Sequence, residues 1–399
     1  MSTLLTKIRE TAEDIKDEII SWRRHIHMYP ELSGKEYKTA AFIVEKLRSF
    51  GIKEIYEHVA GTPSVVVYIR TPKGKGKKAI GLRADIDALP IEEKNDVPYR
   101  SRVEGVMHAC GHDAHTAMLL GAAKILNQFK NELNRDVKLI FQSCEEYPPC
   151  SGAKALVEAG VCGDLEAIFG QHVNPELPSK VIGSRKGPAH AAADFFRIKL
   201  IGKSTHASRP HMGVDPILMA AQVINSIHHI VSRKVDPFEP VVITVGKIQG
   251  GYAPNQIPDE VILEGTVRSY DEKLREQIIE WLEKAVWGTT LAYGGAYKFD
   301  YIEGYPPVVN HSEAVEYGQK VAEDLFGSGS FVCLARPSMG GEDFAYYLKK
   351  VKGAYFRLGT RNEKKGTVHP LHSAHFDIDE DILPVGAAFL AGLAANWKD

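Results

Sequence analysis

The sequence predicts an α/β protein: a mostly parallel sheet flanked by helices, interrupted by an inserted ferredoxin-like α+β domain. Three observations carry that expectation. Apolar runs at residues 78–82, 136–142 and 167–170 each end in a loop bearing carboxylates or histidine, and helical spacing follows. Strand, polar group and helix in repetition mark a parallel sheet with its polar groups on one edge. From about Gly187 the character changes to strand, helix, two strands, helix, strand, the order of a split βαβ sandwich, before the first pattern resumes near Pro306. The expected domains are therefore 1–187, 188–305 and 306–399, since 399 residues exceed a comfortable single core.

Composition narrows the class. Charged residues make up 25% and the net charge is −2, which lacks the basic footprint of a nucleic-acid binder and leaves a small molecule or peptide as partner. No apolar run approaches the roughly 20 residues a membrane span needs. The first 20 residues are charged throughout, without an apolar signal core. With five cysteines, an odd number, this leads to an expectation of reduced thiols in a cytoplasm. No tandem repeat or low-complexity tract is visible.

Along the chain, Ile8, Ile15, Ile19 and Trp22 recur at helical spacing over residues 5–28. Ser33 and Glu36 read as a capping box for the next helix, and Gly51 as its stop. Residues 64–69 and 78–82 read as a hairpin or adjacent strands joined by a basic turn. The second run ends in RADIDALP, which sets Asp85 and Asp87 at a strand end, where α/β enzymes place their chemistry.

The chain is organised around MHACGHDAH, residues 107–115. Thiolate, imidazole and carboxylate are the ligand types of zinc or a similar transition metal. Cys110 and His112 are two apart, and Gly111 between them frees the backbone to turn. The plainer alternative is a loop entering a helix at 116–129, with Asp113 as its cap. The strand at 136–142 then ends in adjacent Glu145 and Glu146. One carboxylate of such a pair can hold a metal while its neighbour moves protons. His172 follows the strand 167–170 in GQHV. Near the C-terminus a glycine pair in SMGGEDFAYY reads as opening a helix, and His369, His372 and His375 crowd into LHSAHFDIDED and the residues before it. A phosphate-loop reading of GKST at 202–205 fails, because the required glycine position holds Arg197 inside a strand.

With these residues assembled, the sequence resembles the metallopeptidase family of aminoacylases, hippurate hydrolases, auxin-conjugate hydrolases and related carboxypeptidases. RRHIHMYPELSGKE, GLRADIDALPI, MHACGHDAH, CEE, GQHV, GKSTHASRPHMGVDP, APNQIPDE, GTVRS, SMGGEDFAYY and LHSAHFDIDED carry the resemblance over nearly the whole chain. It implies two divalent metal ions per subunit, zinc or else manganese or cobalt, held by Cys110, His112, Glu146, His172 and His372, with Cys110 bridging. It implies Glu145 as general base, His206 as a lid histidine that steadies the oxyanion, and Asn255, Arg268 and Gly341 as substrate-binding residues. The domain at 188–305 becomes a lid that also forms a homodimer or higher homo-oligomer. The implied activity is release of a free amino acid from an N-acyl amino acid or an N-blocked peptide.

One departure stands out. Where many relatives carry a metal-binding His-x-Asp, this chain is read as having Arg83, which cannot ligate a cation. Asp85 is then left without its usual histidine partner, His108, Asp113 and His115 stay open as ligands or as supports behind them, and Asp113 is the expected carboxylate partner of a ligand histidine. Two other classes remain open: a non-catalytic metal-dependent binding protein, and a hydrolase with Cys110 as nucleophile. A G-x-S-x-G elbow for a serine nucleophile is absent.

Overall fold

In the computed structural model, which describes residues 3–397, the long apolar runs line up as one eight-stranded sheet. Its order is Glu54–Tyr56, Val65–Ile69, Val137–Gln142, Ala79–Asp85, Leu165–Pro178, Lys352–Arg361, Ile182–Ser184 and Phe331–Cys333. The central strands pair in parallel: Ala79–Asp85 with both Val137–Gln142 and Leu165–Pro178, and the last of these with Lys352–Arg361. Every residue of Ala79–Asp85 and Val137–Gln142 is buried, as expected for strands covered on both faces.

This sheet belongs to a unit made of the chain up to Ala189, Val309–Arg336 and everything from Asp343 onward. Its central helix, His112–Gln128, is buried almost all round. The apolar helix Leu383–Asn396 packs on it. Gly386 is needed there, since a Cβ would collide with the Met118 sulfur.

A second unit comprises His190–Val308 and the short segment Pro337–Glu342. Its four strands stand in the order Val241–Gly250, Glu260–Ser269, Ala192–Ile201 and Ala296–Tyr305, all antiparallel. The helices Pro216–Arg233 and Glu272–Tyr293 cover this sheet, which completes the ferredoxin-like arrangement. Each helix starts behind an aspartate cap. Asp215 caps one by accepting the Ile217 and Leu218 N–H groups, and Asp271 caps the other through Leu274. The second unit has its own core, including Phe196, Ile198, Met219, Val223, Leu263 and Ile278.

Several local expectations are corrected. The strands Val65–Ile69 and Ala79–Asp85 are not neighbours: Val137–Gln142 lies between them, antiparallel to the first and parallel to the second. The basic turn joining them is pinned to the base of that strand, where Asp136 accepts the Thr71 N–H at 2.8 Å. Ser33 and Glu36 form no capping box. Ser33 Oγ donates to Asp87 at 2.7 Å, and Glu36 accepts the Cys144 N–H at 2.7 Å, because both side chains reach buried partners. His172 lies inside a long strand, Leu165–Pro178, rather than at its end.

The cysteines also differ from expectation. Cys144 and Cys150 are joined as a disulfide, with Cα atoms 6.1 Å apart, while Cys110, Cys162 and Cys333 are free thiols. The loop between the paired residues turns back on itself, helped by the left-handed backbone of Cys144 at φ 57°. Among the described residues, no helix is long and apolar enough to cross a membrane.

Candidate active site

The site begins with a backbone constraint at Gly111. Its φ of 84° is a left-handed conformation that favours glycine, and a Cβ there would run into Val173. The turn it makes starts the helix His112–Gln128 and leaves Cys110 and His112 on either side of it. Both side chains are buried.

Two loops and the interior of one strand bring the other groups to this turn. Cys110 Sγ lies 3.3 Å from His172 Nε2. Glu146 Oε1 is 3.8 Å from His112 Nε2 and 3.5 Å from His372 Nε2. His372 comes from far along the chain and sits at φ 63°, and its backbone N–H donates to the Ala109 carbonyl at 2.8 Å. Cys110, His112 and His172 thus form one group whose ligand atoms lie within 4.8 Å of one another. Cys110, Glu146 and His372 form a second group by the same measure, so Cys110 belongs to both. Glu145, buried, has an oxygen within 4.8 Å of the ligand atoms of His112 and Glu146.

These residues fit a bound cation. His112 Nε2 and Glu146 Oε1 are buried and have no hydrogen-bond partner among the described residues. Such orphaned atoms are costly unless something satisfies them. The local field is negative. Burial pushes the Cys110 thiol well above its ordinary range, and Glu146, Glu145 and Asp85 push it further. His112 rises to about 10 although burial opposes it, because Asp85, Asp87 and Glu146 surround it. A divalent ion reverses that balance and deprotonates a coordinating thiol.

The groups behind the ligands differ from the expectation that Asp113 partners a ligand histidine. Asp87 does so instead: its Oδ1 is 3.1 Å from His112 Nδ1, and its Oδ2 accepts the Glu146 backbone N–H at 2.9 Å. Asp113 points the other way. It accepts from Arg23 Nε at 2.7 Å and lies 2.7 Å from His27 Nδ1 in a buried cluster. Asp85 is taken up by Arg83 at 2.6 Å and His115 at 2.5 Å. Burial raises Asp85, but His112, His115 and Arg83 together hold it well below the ordinary carboxylate range. Arg83 also donates to Asp343 at 2.8 Å and to Gln142 at 2.9 Å, so it anchors the site's floor. A sequence signal for these partners did exist. Aspartates at alternate positions of a strand end face histidines three apart on a helix start.

The remaining candidates lie in the second unit. His206 is exposed in the short strand Thr205–His206, and its Nδ1 accepts from the Ser208 N–H at 3.1 Å. Asn255, also exposed, accepts the Ala207 N–H through its carbonyl at 2.9 Å. Arg268 is half-buried, donates to the Val267 carbonyl at 3.1 Å, and is lowered by that burial. Gly341 does not open a helix: the helix is the short Ala345–Leu348, and Gly341 lies in the preceding loop. A Cβ on Gly341 would stand 2.8 Å from that of Ala193, the residue opposite Arg268 in the sheet.

Comparison with known proteins identifies the family. The model of peptidase family M20/M25/M40 matches residues 81–396. The chain belongs to that family. It is 42% identical over 397 residues to thermostable carboxypeptidase 1 of Saccharolobus solfataricus, covering 99% of each protein. It is 43% identical over 307 residues to an N-acyl-L-amino acid amidohydrolase of Geobacillus stearothermophilus, covering 77% of this chain and 82% of that one. A Bacillus subtilis crystal structure, described as a dinuclear metal binding peptidase of the M20 family, superposes with a TM-score of 0.82. It shares 34% identity and covers 96% of this chain and 98% of its own. The protein is therefore an M20 hydrolase acting on amide bonds, with the two-part fold of its relatives.

Proposed function

We propose that this enzyme is a two-metal amidohydrolase that releases a free amino acid from an N-acyl amino acid or an N-blocked peptide C-terminus. The observation that supports this most is the sharing of Cys110 between two ligand groups, Cys110–His112–His172 and Cys110–Glu146–His372. These five residues would hold two divalent ions, with zinc the best match to a thiolate and three imidazoles. Such ions supply Lewis acidity and lower the pKa of water from ~16 to about 7.

The chain's own residues do the rest. Glu145 takes a proton from the attacking water and returns it to the leaving amine. His172 presents Nε2 to the site because its Nδ1–H donates to the Val173 carbonyl at 2.7 Å. From the family resemblance, His206 steadies the oxyanion and Arg268 takes the free carboxylate with its planar fork, while Asn255 and Gly341 orient the substrate. The second unit then serves as lid and as the contact of a homodimer.

A second reading, a carboxypeptidase proper, draws support from the relative of that name at 42% identity. Hydrolysis of N-acetyl and N-benzoyl amino acids beside N-blocked dipeptides separates the two. The assay is run before and after chelation, with zinc, manganese and cobalt restored in turn. Chelator-sensitive release of amino acid is expected, fastest on the N-acyl amino acids. Hydrolysis that survives chelation would overturn the metal mechanism and make Cys110 a nucleophile.

A further inference from the structure

We propose that His115 is a positioning residue for His172, holding that ligand through the strand backbone without touching a metal itself. The inference rests on the two-metal reading above.

His115, Asp85 and His112 stand close enough to suggest a third ligand group, with their atoms within 4.8 Å. The hydrogen bonds assign His115 a different task. Its Nε2 accepts the Val173 backbone N–H at 2.9 Å, so that nitrogen carries no proton. The proton sits on Nδ1, which donates to Asp85 Oδ1 at 2.5 Å. Both ring nitrogens are thereby used, and neither offers a lone pair to a cation.

Sheet register explains why Val173 needs this partner. The neighbouring strand Ala79–Asp85 pairs with Leu165–Pro178 only as far as Arg83 opposite Gly170. Beyond that point the strand bearing His172 has lost its ladder on that side. A buried N–H left without an acceptor is costly, and His115 supplies one.

The carbonyl of the same residue, Val173, governs His172. Its Nδ1–H donates to the Val173 carbonyl at 2.7 Å, which turns Nε2 toward Cys110. The two imidazoles also pack edge to face, with centroids 4.6 Å apart. Behind His115 the support continues through Asp85 to Arg83, itself locked by Asp343. A run of buried groups, Arg83–Asp85–His115, thus fixes the segment that aims His172.

Two substitutions separate this role from mere packing. In His115→Asn the amide reaches Asp85 but is too short to accept from Val173. In His115→Gln the carbonyl oxygen reaches the position of Nε2 and can accept. Zinc affinity is measured by chelator competition on the full chain, with melting temperature as a control for folding. His115→Asn is expected to bind zinc about 10- to 100-fold more weakly, and His115→Gln to recover most of that loss. Wild-type affinity in His115→Asn would overturn the role of His115 while leaving the two-metal reading intact. Failure of the unaltered protein to take up zinc would instead sink that reading and the inference with it. If the Asn variant does not fold, nitrogen NMR of the unaltered protein loaded with cadmium-113 decides. Coupling of cadmium to His172 and not to His115 supports the role, and coupling to His115 overturns it.

Discussion

Asp87 Oδ1 lies 3.1 Å from His112 Nδ1, and both side chains are buried. The same carboxylate accepts the Glu146 backbone N–H, so one residue orients two proposed ligands. A carboxylate in this place fixes the ring and raises the basicity of its free nitrogen. Asp87→Ala should lower zinc affinity by about 10- to 100-fold. Competition with a coloured chelator measures it, and an unchanged affinity would show that Asp87 does not orient a metal ligand.

Glu145 and Glu146 are adjacent but not equivalent. Glu146 Oε1 is an orphaned buried atom between His112 and His372, whereas Glu145 is proposed as the proton carrier. Glu145→Gln should keep its metal and lose about 100- to 10,000-fold in kcat. Glu146→Gln should lose metal as well. Elemental analysis beside turnover distinguishes them, and full activity in Glu145→Gln removes its assigned role.

Arg83 is buried between two carboxylates, Asp85 and Asp343. Removing one partner from such a cluster leaves an uncompensated buried charge. Arg83→Met should destabilise the fold by about 3–5 kcal/mol. Urea unfolding of the metal-free protein would show it, and a cost under ~1 kcal/mol would mean that the aspartates find other donors.

Acid should weaken the metal-free protein. Burial raises Asp85, Asp87, Asp113 and Glu93, but histidine or arginine partners hold all four below their ordinary values. As pH falls through about 4, the unfolded carboxylates take up protons first. The unfolded state then binds more protons, and stability drops with pH. Their contribution is present above the unfolded pKa and is lost as pH falls through the folded one. The urea midpoint should decline from about pH 5 to about pH 3. Glu93→Gln should flatten that slope, and an identical slope would exclude Glu93 as a contributor.

The disulfide makes a simple count. Of five cysteines, three are free. Denatured protein should therefore react with three equivalents of a thiol reagent before reduction and with five after it. Five from the start would mean that Cys144 and Cys150 are reduced in solution.

What is periodic or chemically dense was legible from the residues alone. The buried strands are legible from their mostly apolar residues, because both their faces are covered. The insertion was legible because its six elements follow one order. Cys110 and His112 could be singled out from the density of ligand types in residues 107–115, and Glu145, Glu146 and His172 as polar groups that follow apolar runs, while their roles as ligand or base came from the family resemblance. His372 followed only from the family resemblance.

The pairings came from packing. Which aspartate steadies His112 depends on how the strand Ala79–Asp85 and the loop after it face the start of the helix His112–Gln128, and no local pattern records that. Asp113 is adjacent to His112 in sequence, yet the turn of the helix sends it to Arg23 and His27. The insertion of Val137–Gln142 between two sequence-adjacent strands is likewise a matter of strand order, which local pattern does not record. The Cys144–Cys150 bond depends on a left-handed turn that no spacing announces. Residue type sets what chemistry a side chain can do, and packing sets which partner it meets.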